Sequence, residues 1–430
     1  MNHRICLCLP TNRACSATLT AIHAEAAYAA DRFGADVQLL ILDSSDDPTR
    51  AGHARTVAAL PPVPQVTVHH LDEYAQRVFL HRTIERAGLP DPDRLLHLML
   101  PPAVSYGACT NRAFLLAAAL GCDSLHRRDS DSAYQVHSGQ PVFPVHHELP
   151  HLGRPATEAA GSVTRTDLAP ELLHRPVSLA GASFIGELSV DIGEMRRLDE
   201  GVYHDVVSLW APGDWPEDRK RHLVEESFTG AGTAPFTGDR ATLTVVDPMR
   251  VDMCNIAFDR AIYERIPLPP ATDTIGSDYF LLHVVHDAAL PGILHNRHIE
   301  NFHTPERRTG TGFPAYQRRF VKFLLSMLYF HDVYDHMAAE GDRLLNDHGQ
   351  VRPDRITELL RESAHLDRTE NVWRLDRIDT AYRKLGGRYA SFADQLAYER
   401  AELLDQAEWD IEDFAHLTDV WPALVEAART

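Results

Sequence analysis

Hydrophobic and polar positions divide the chain into two unlike parts. In the first third, short apolar runs alternate with longer periodic ones. "RICLCLP" (4–10) is a continuous apolar run ending at Pro10, and "DVQLLILD" (36–43) is a second one that opens into the polar turn "DSSDD" (43–47). Runs of this length without alternation predict strands buried on both faces. Between and after them, "SATLTAIHAEAAYAADRFG" (16–34), "DEYAQRVFLHRTIERAG" (72–88) and "NRAFLLAAALG" (111–121) carry helical spacing. Ser16 is the expected cap of the first, and Gly34 and Gly121 are expected stops. Strands alternating with helices predict an α/β fold with a mostly parallel sheet covered on both faces. In such sheets ligands bind beyond the C-terminal strand ends. "PTNR" (10–13), "DSSDD" and "DSD" (129–131) all fall at that edge.

Further on, residues 136–170 are rich in Pro, His and Gly and read as loop, whereas "RPVSLAGASFIGELSVDI" (175–192) returns to strand character. The Gly/Thr-rich residues 228–240 read as a mobile segment. "TLTVVDPMRVDMCNIAFDRAIYERIPLPP" (242–270) predicts strand, turn and helix, and "SDYFLLHVVHDAA" (277–289) predicts a helix. From about 314 onward almost everything is amphipathic helix. These helices have apolar faces that must be buried, either on the rest of the chain or in a homodimer.

Composition narrows the function classes. The chain has 430 residues, 44% of them hydrophobic, and a formal charge of −19. That balance disfavours nucleic acid and anionic membrane surfaces as partners. "MNHRICLCLP" lacks the form of a signal peptide, and "FVKFLLSMLYF" (320–330) is too short to span a bilayer and contains Lys322. The six cysteines match no zinc spacing and read as free thiols in a reducing cytoplasm, with Cys6 and Cys8 on one face of their strand.

Several residue groups could carry chemistry. Asp129 and Asp131 would repel each other unless something positive sat between them. By itself an Asp-x-Asp serves equally as a turn or a cap. At the ligand edge of a sheet it suits Mg²⁺ or Mn²⁺ shared with substrate phosphates. In "IENFHTPERRTGTG" (299–312), His303 could complete a metal shell, and Arg307 and Arg308 could clamp a diphosphate; alone, the segment reads as a solvated basic loop. His298 competes with His303, which is preferred because it adjoins the arginines. Asp278, near a helix start, is either an N-terminal carboxylate or a general base. His147-Glu148-x-x-His151 has the zincin spacing, but Pro150 between the histidines rules out the required helical turn. The glycine signatures of P-loop, dinucleotide-binding and α/β-hydrolase proteins are absent.

In this order the pieces resemble the GT-A class of nucleotide-sugar-dependent glycosyltransferases. "ICLCLPTNR" looks like the first strand and nucleotide-binding turn, and "LLILDSSDD" like the second strand. "GACTNRAFLLAAALGCDSLHRRDSDS" looks like the Asn/Arg helix followed by the metal-binding Asp-x-Asp. "MCNIAFDRAIYERIPLPPATDTIGSDYFL" looks like the late Gly-x-Asp segment of inverting members. The resemblance covers residues 4–312 at motif level. It implies a GT-A-like domain over 1–312, with a nucleotide-binding half (1–135) and an acceptor half (136–312), followed by a helical domain over 313–430.

The resemblance also implies roles. Pro10, Thr11, Arg13 and Asp43 would hold the nucleoside, Arg112 would lie near the diphosphate, and Asp129 would contact ribose or metal. Asp131 and His303 would ligate Mn²⁺ or Mg²⁺, Arg307 and Arg308 would stabilise the leaving diphosphate, and Asp278 would be the base. Ser277 stands where inverting members usually carry an acid, which leaves the stereochemistry open. The expected reaction moves a sugar, hexosyltransferase-fashion, from a UDP-sugar or GDP-sugar to a hydroxyl or amine of a soluble small molecule such as a bacterial secondary metabolite. The alternatives are a sugar-phosphate nucleotidyltransferase, which normally has a glycine-rich first loop, and a non-catalytic scaffold that binds a protein partner.

Overall fold

The computed structural model describes residues 3–302, 308 and 310–430. Among these, nine strands form one large sheet. In chain order they are β1 (Arg4–Thr11), β2 (Asp36–Asp43), β3 (Val66–Asp72), β4 (Ser124–Arg128), β5 (Arg165–Thr166), β6 (Leu179–Gly181), β7 (Ala241–Thr244), β8 (Asn255–Asp259) and β9 (Gly292–His295). Their spatial order is β3-β2-β1-β4-β8-β6-β9-β7-β5. The pairs β2–β3, β1–β2, β1–β4, β6–β9 and β5–β7 are parallel, and β8 runs antiparallel to both β4 and β6. The expected class therefore holds: a mixed, mostly parallel sheet flanked by helices, with a helical C-terminal region.

Period-two alternation assigns each face of β1 its own layer. Ile5, Leu7 and Leu9 pack with Leu19, Ile22 and Ala26 of α1 (Ser16–Phe33). Cys6 and Cys8 face the other way, into a cluster with Leu40, Phe114 and Leu125. Gly34 ends α1 in the left-handed conformation (φ 65°), as its sequence position implied. Ser16 is the first helical residue and not the cap; Cys15 holds that place, and its backbone N–H donates to His53 Nε2 at 3.1 Å.

The helix α2 (Tyr106–Ala119) starts five residues earlier than periodicity suggested, because Ser105 caps it by accepting from Ala108 N at 3.1 Å. It is fastened to the segment that precedes Asp278. A Cβ on Gly107 would lie 1.9 Å from the Pro269 carbonyl oxygen, so only glycine permits this approach. One turn on, Asn111 donates to Leu268 O at 2.8 Å and accepts from Leu268 N at 2.7 Å.

The C-terminal helices include α4 (Gly312–Glu340) and α5 (Gly387–Arg429), with α3 (Phe280–Asp287) beneath them. Most of their apolar surface is covered within the chain, while Trp373, Tyr398 and Trp409 stay exposed. One continuous cluster contains Leu42 and Phe114 from the sheet layers, Phe280 from α3, Phe320 from α4, and Phe414 and Trp421 from α5. Trp421 Nε1 donates to Tyr263 O at 3.0 Å. No described helix is long and apolar enough to cross a membrane.

The middle strand β4 carries two adjacent buried arginines on opposite faces. Arg128 donates to Glu25 of α1 at 2.8 and 3.0 Å and to Glu148 at 2.8 Å. His126, on the same face, bonds Glu148 at 2.6 Å, and Tyr134 donates to Glu25 at 2.5 Å. Burial opposes the charge on Arg128, yet these carboxylates raise its pKa well above the ordinary value. Removing one member of such a network leaves an uncompensated buried charge. Arg128→Met should therefore lower unfolding free energy by about 3–5 kcal/mol, read from the urea midpoint.

Candidate active site

The C-terminal ends of β1, β2 and β4 open onto a cavity of about 370 Å³. Pro10, Thr11 and Arg13 line it from β1 and the turn after it, and Leu42 and Ser44 from the end of β2. Asp129 and Asp131 enter after β4, Arg112 from α2, and Asp278 from the loop before α3. The structure thus brings seven of the expected site residues to one cavity: Pro10, Thr11, Arg13, Arg112, Asp129, Asp131 and Asp278. His303 and Arg307 lie outside the described residues. Arg308 is half-exposed, pairs with Asp191 at 2.8 Å and Glu187 at 3.4 Å, and is not among the cavity's lining residues.

Asp43 also stands apart. It is fully buried behind the lining and accepts from His53 Nδ1 and His70 Nε2, both at 2.8 Å, and from Ser45 N at 3.0 Å. Burial alone would raise its pKa, but the bonds from His70, His53 and Ser45 outweigh this and hold it well below the carboxylate range. Arg112 contributes to the wall while its guanidinium is engaged by Gln76 at 2.7 Å and Met99 O at 2.6 Å.

Arginines stand beside both carboxylates of the Asp-x-Asp. Arg127 Nη2 donates to Asp129 at 3.1 Å, and its Nη1 donates to Asp278 Oδ2 at 2.5 Å. Arg13 Nη1 donates to Asp131 Oδ2 at 2.8 Å. Sequence reasoning missed Arg127. The signal was the dipeptide Arg127-Arg128 on a strand, whose alternation must send one side chain to each face. It also missed Asp252, a further cavity carboxylate that accepts from the Tyr279 hydroxyl. The carboxyl of Asp129 is pushed up to about 6, chiefly by burial and then by Asp131, Asp278 and Asp252, while Arg127 opposes the shift. Independently of that shift, Asp129 and Asp131 place hard carboxylate oxygens on one cavity wall, and such donors fit a divalent cation.

Two other clusters among the described residues have metal-ligand composition: Asp43/His53/His70 and His146/His147/Asp239. In the first, the Cys15 N–H occupies His53 Nε2, so the imidazole proton sits on Nδ1 and points at Asp43. That nitrogen has no lone pair to give, and the cluster is a closed hydrogen-bond network. In the second, Arg297 already neutralises Asp239 through bonds of 2.6 and 2.9 Å. The zincin-spaced segment does form a short helix, Val145–Glu148, despite Pro150, but its histidines take separate partners: His147 bonds Asp239, whereas His151 bonds the His147 carbonyl and Ser162.

The Arg127 bridge yields a double-mutant cycle. Arg127→Met should cost about 3–5 kcal/mol in the wild-type background, because it strands Asp278 and Asp129. In an Asp278→Asn background the cost should fall by about 1–3 kcal/mol, measured by urea denaturation. Additive losses would mean that the 2.5 Å contact carries no coupling.

A search of curated proteins returns no match. Among solved structures, a mannosyltransferase from Pyrobaculum calidifontis (PcManGT), solved with GDP-Man and Mn²⁺, aligns over 100% of this chain and 86% of its own at 14% identity, with a TM-score of 0.38. Mouse xyloside xylosyltransferase 1, in its apo form, aligns over 67% of this chain and 75% of its own at 11% identity, with a TM-score of 0.23. The family profile described as "family of unknown function (DUF6271)" matches residues 3–430, and the chain belongs to that family.

Proposed function

We propose that the protein is a glycosyltransferase that moves a sugar from a nucleoside-diphosphate sugar to a hydroxyl or amine of a small-molecule acceptor. One observation carries this reading. Two carboxylates, Asp129 and Asp131, stand at the C-terminal edge of parallel strands, inside a cavity that also holds Arg13, Arg127 and Asp278. That combination suits a diphosphate, a divalent cation and an acid–base group.

Each residue has a role in this scheme. Pro10, Thr11 and Arg13 form the wall against which the nucleoside lies, and Asp43 is a positioning residue behind Leu42 and Ser44. Asp129 and Asp131 hold Mn²⁺ or Mg²⁺, with His303 as the third ligand. When bound, the cation offsets the negative charge that grows on the leaving diphosphate. Arg307 serves the same phosphates, whereas Arg308, held by Asp191 and Glu187, has no such role in this scheme. Asp278, oriented by Arg127, accepts the proton of the acceptor group as its oxygen or nitrogen bonds to the anomeric carbon and the bond to the diphosphate breaks.

The first test is thermal stabilisation by UDP and GDP, each with and without Mn²⁺. One nucleotide should raise the melting temperature by several degrees only when Mn²⁺ is present; a ligand at about 100 times its Kd adds about 2.7 kcal/mol. Asp131→Ala should abolish that shift, and the preferred nucleotide names the donor class. If no nucleotide shifts the wild-type protein under any metal condition, the reading fails.

A further inference from the structure

The same cavity has a second end, built on different chemistry. The helix α4 turns one face toward it, on which Arg319, Phe323, Met327, Phe330 and Tyr334 recur at intervals of three and four residues, and all of them line the cavity. Facing this stripe are Trp210 and Phe228, whose rings stack at 5.2 Å with 18° between their planes. Phe323 meets the Trp210 ring edge-on at 5.7 Å. Both Trp210 and Phe228 are only half-buried, so apolar ring surface is left for a ligand.

This chamber adjoins the reacting end through the loop that carries Asp278. Gly276 has φ +71°, and a Cβ there would lie 2.8 Å from the Phe323 ring. The backbone two residues before Asp278 is thus pressed against the aromatic wall. At the same wall, Arg319 Nε is buried with no hydrogen-bond partner among the described residues, while Arg319 Nη2 lies 3.7 Å from Asp273. A guanidinium can only donate, and the Arg319 side chain is 23% exposed where it lines the cavity, so its outer N–H groups can meet an oxygen acceptor there.

We propose that this chamber is the acceptor subsite, and that the acceptor is a planar aromatic or fused-ring compound bearing a carbonyl or anionic oxygen that meets Arg319. The proposal rests on the glycosyltransferase reading of the same cavity. A flat apolar body gains ring contacts with Trp210, Phe228 and Phe323 and releases water from them. A sugar acceptor could rest a C–H face on one of these rings, but Phe323, Met327 and Phe330 around it offer its outward hydroxyls no hydrogen-bond partner.

The test uses three probes, with nucleotide and Mn²⁺ present. 4-Methylumbelliferone has a phenol and a lactone carbonyl, 2-naphthol has only the phenol, and methyl β-D-glucoside is not aromatic. Binding is followed by equilibrium dialysis, and nucleotide binding by the melting shift. Both aromatic probes should bind the wild type at least tenfold more tightly than the glucoside. Trp210→Leu should weaken both aromatics about tenfold and leave the nucleotide shift in place, which also shows that the variant is folded. Arg319→Met should weaken 4-methylumbelliferone and not 2-naphthol. If the nucleotide shift is present but the glucoside binds as well as the aromatics, or Trp210→Leu changes nothing, the acceptor class is wrong and the transferase reading survives. If no nucleotide shift exists, the acceptor assignment falls with the transferase reading, whatever the probes do.

Discussion

Everything around the site depends on the burial of two consecutive arginines on one central strand. An unpaired guanidinium in the interior costs several kcal/mol, and a strand sends adjacent side chains to opposite faces. Each face of β4 must therefore supply its own carboxylates. On one face Arg128 requires Glu25 and Glu148, which anchor α1 and the short helix Val145–Glu148 to the sheet. On the other, Arg127 requires Asp129 and Asp278, which bring the end of β4 and the loop before α3 to the same point. Charge compensation thereby sets the geometry of the cavity, and the apolar layers fill in around it.

The sheet and its edge were legible in the sequence because two strands, β1 and β2, are unbroken apolar runs with turn residues directly after them. Their C-terminal ends could be located to within a residue, and "PTNR" and "DSD" do meet there. Asp43 shows where such reasoning stops. Its place at the end of β2 was readable, but its partners His53 and His70 come from a helix and from a neighbouring strand, and no local pattern announces them. Arg127 was hidden differently. Two arginines before an acidic motif look like solvated charge until the strand they sit on is known to be central.

The C-terminal helices were read as amphipathic segments in need of cover. That was sound as far as periodicity goes, since α4 buries Phe320, Val321 and Leu324 in the main cluster. Periodicity cannot distinguish a face closed by core from a face closed by a cavity, because both demand apolar side chains at the same spacing. Trp210 and Phe228, distant in sequence, are what turn the Phe323 face of α4 into a chamber wall. The helical region therefore lines the cavity as well as packing behind it.

The loop that carries Asp278 is held at both ends by groups that do no chemistry. At its start, the side chain of Asn111 closes two hydrogen bonds with the backbone of Leu268, and Gly107 lets α2 touch Pro269. At its end, Arg127 grips the Asp278 carboxylate, and the Gly276 backbone rests against Phe323. A carboxylate placed in this way has little freedom left to lose, which is the condition for an electrostatic site to act without reorganising. The same anchoring links the two ends of the cavity. Any shift of α4 that moves Phe323 also presses on Gly276, two residues from Asp278, so occupancy of the aromatic chamber and placement of the carboxylate share one short backbone segment.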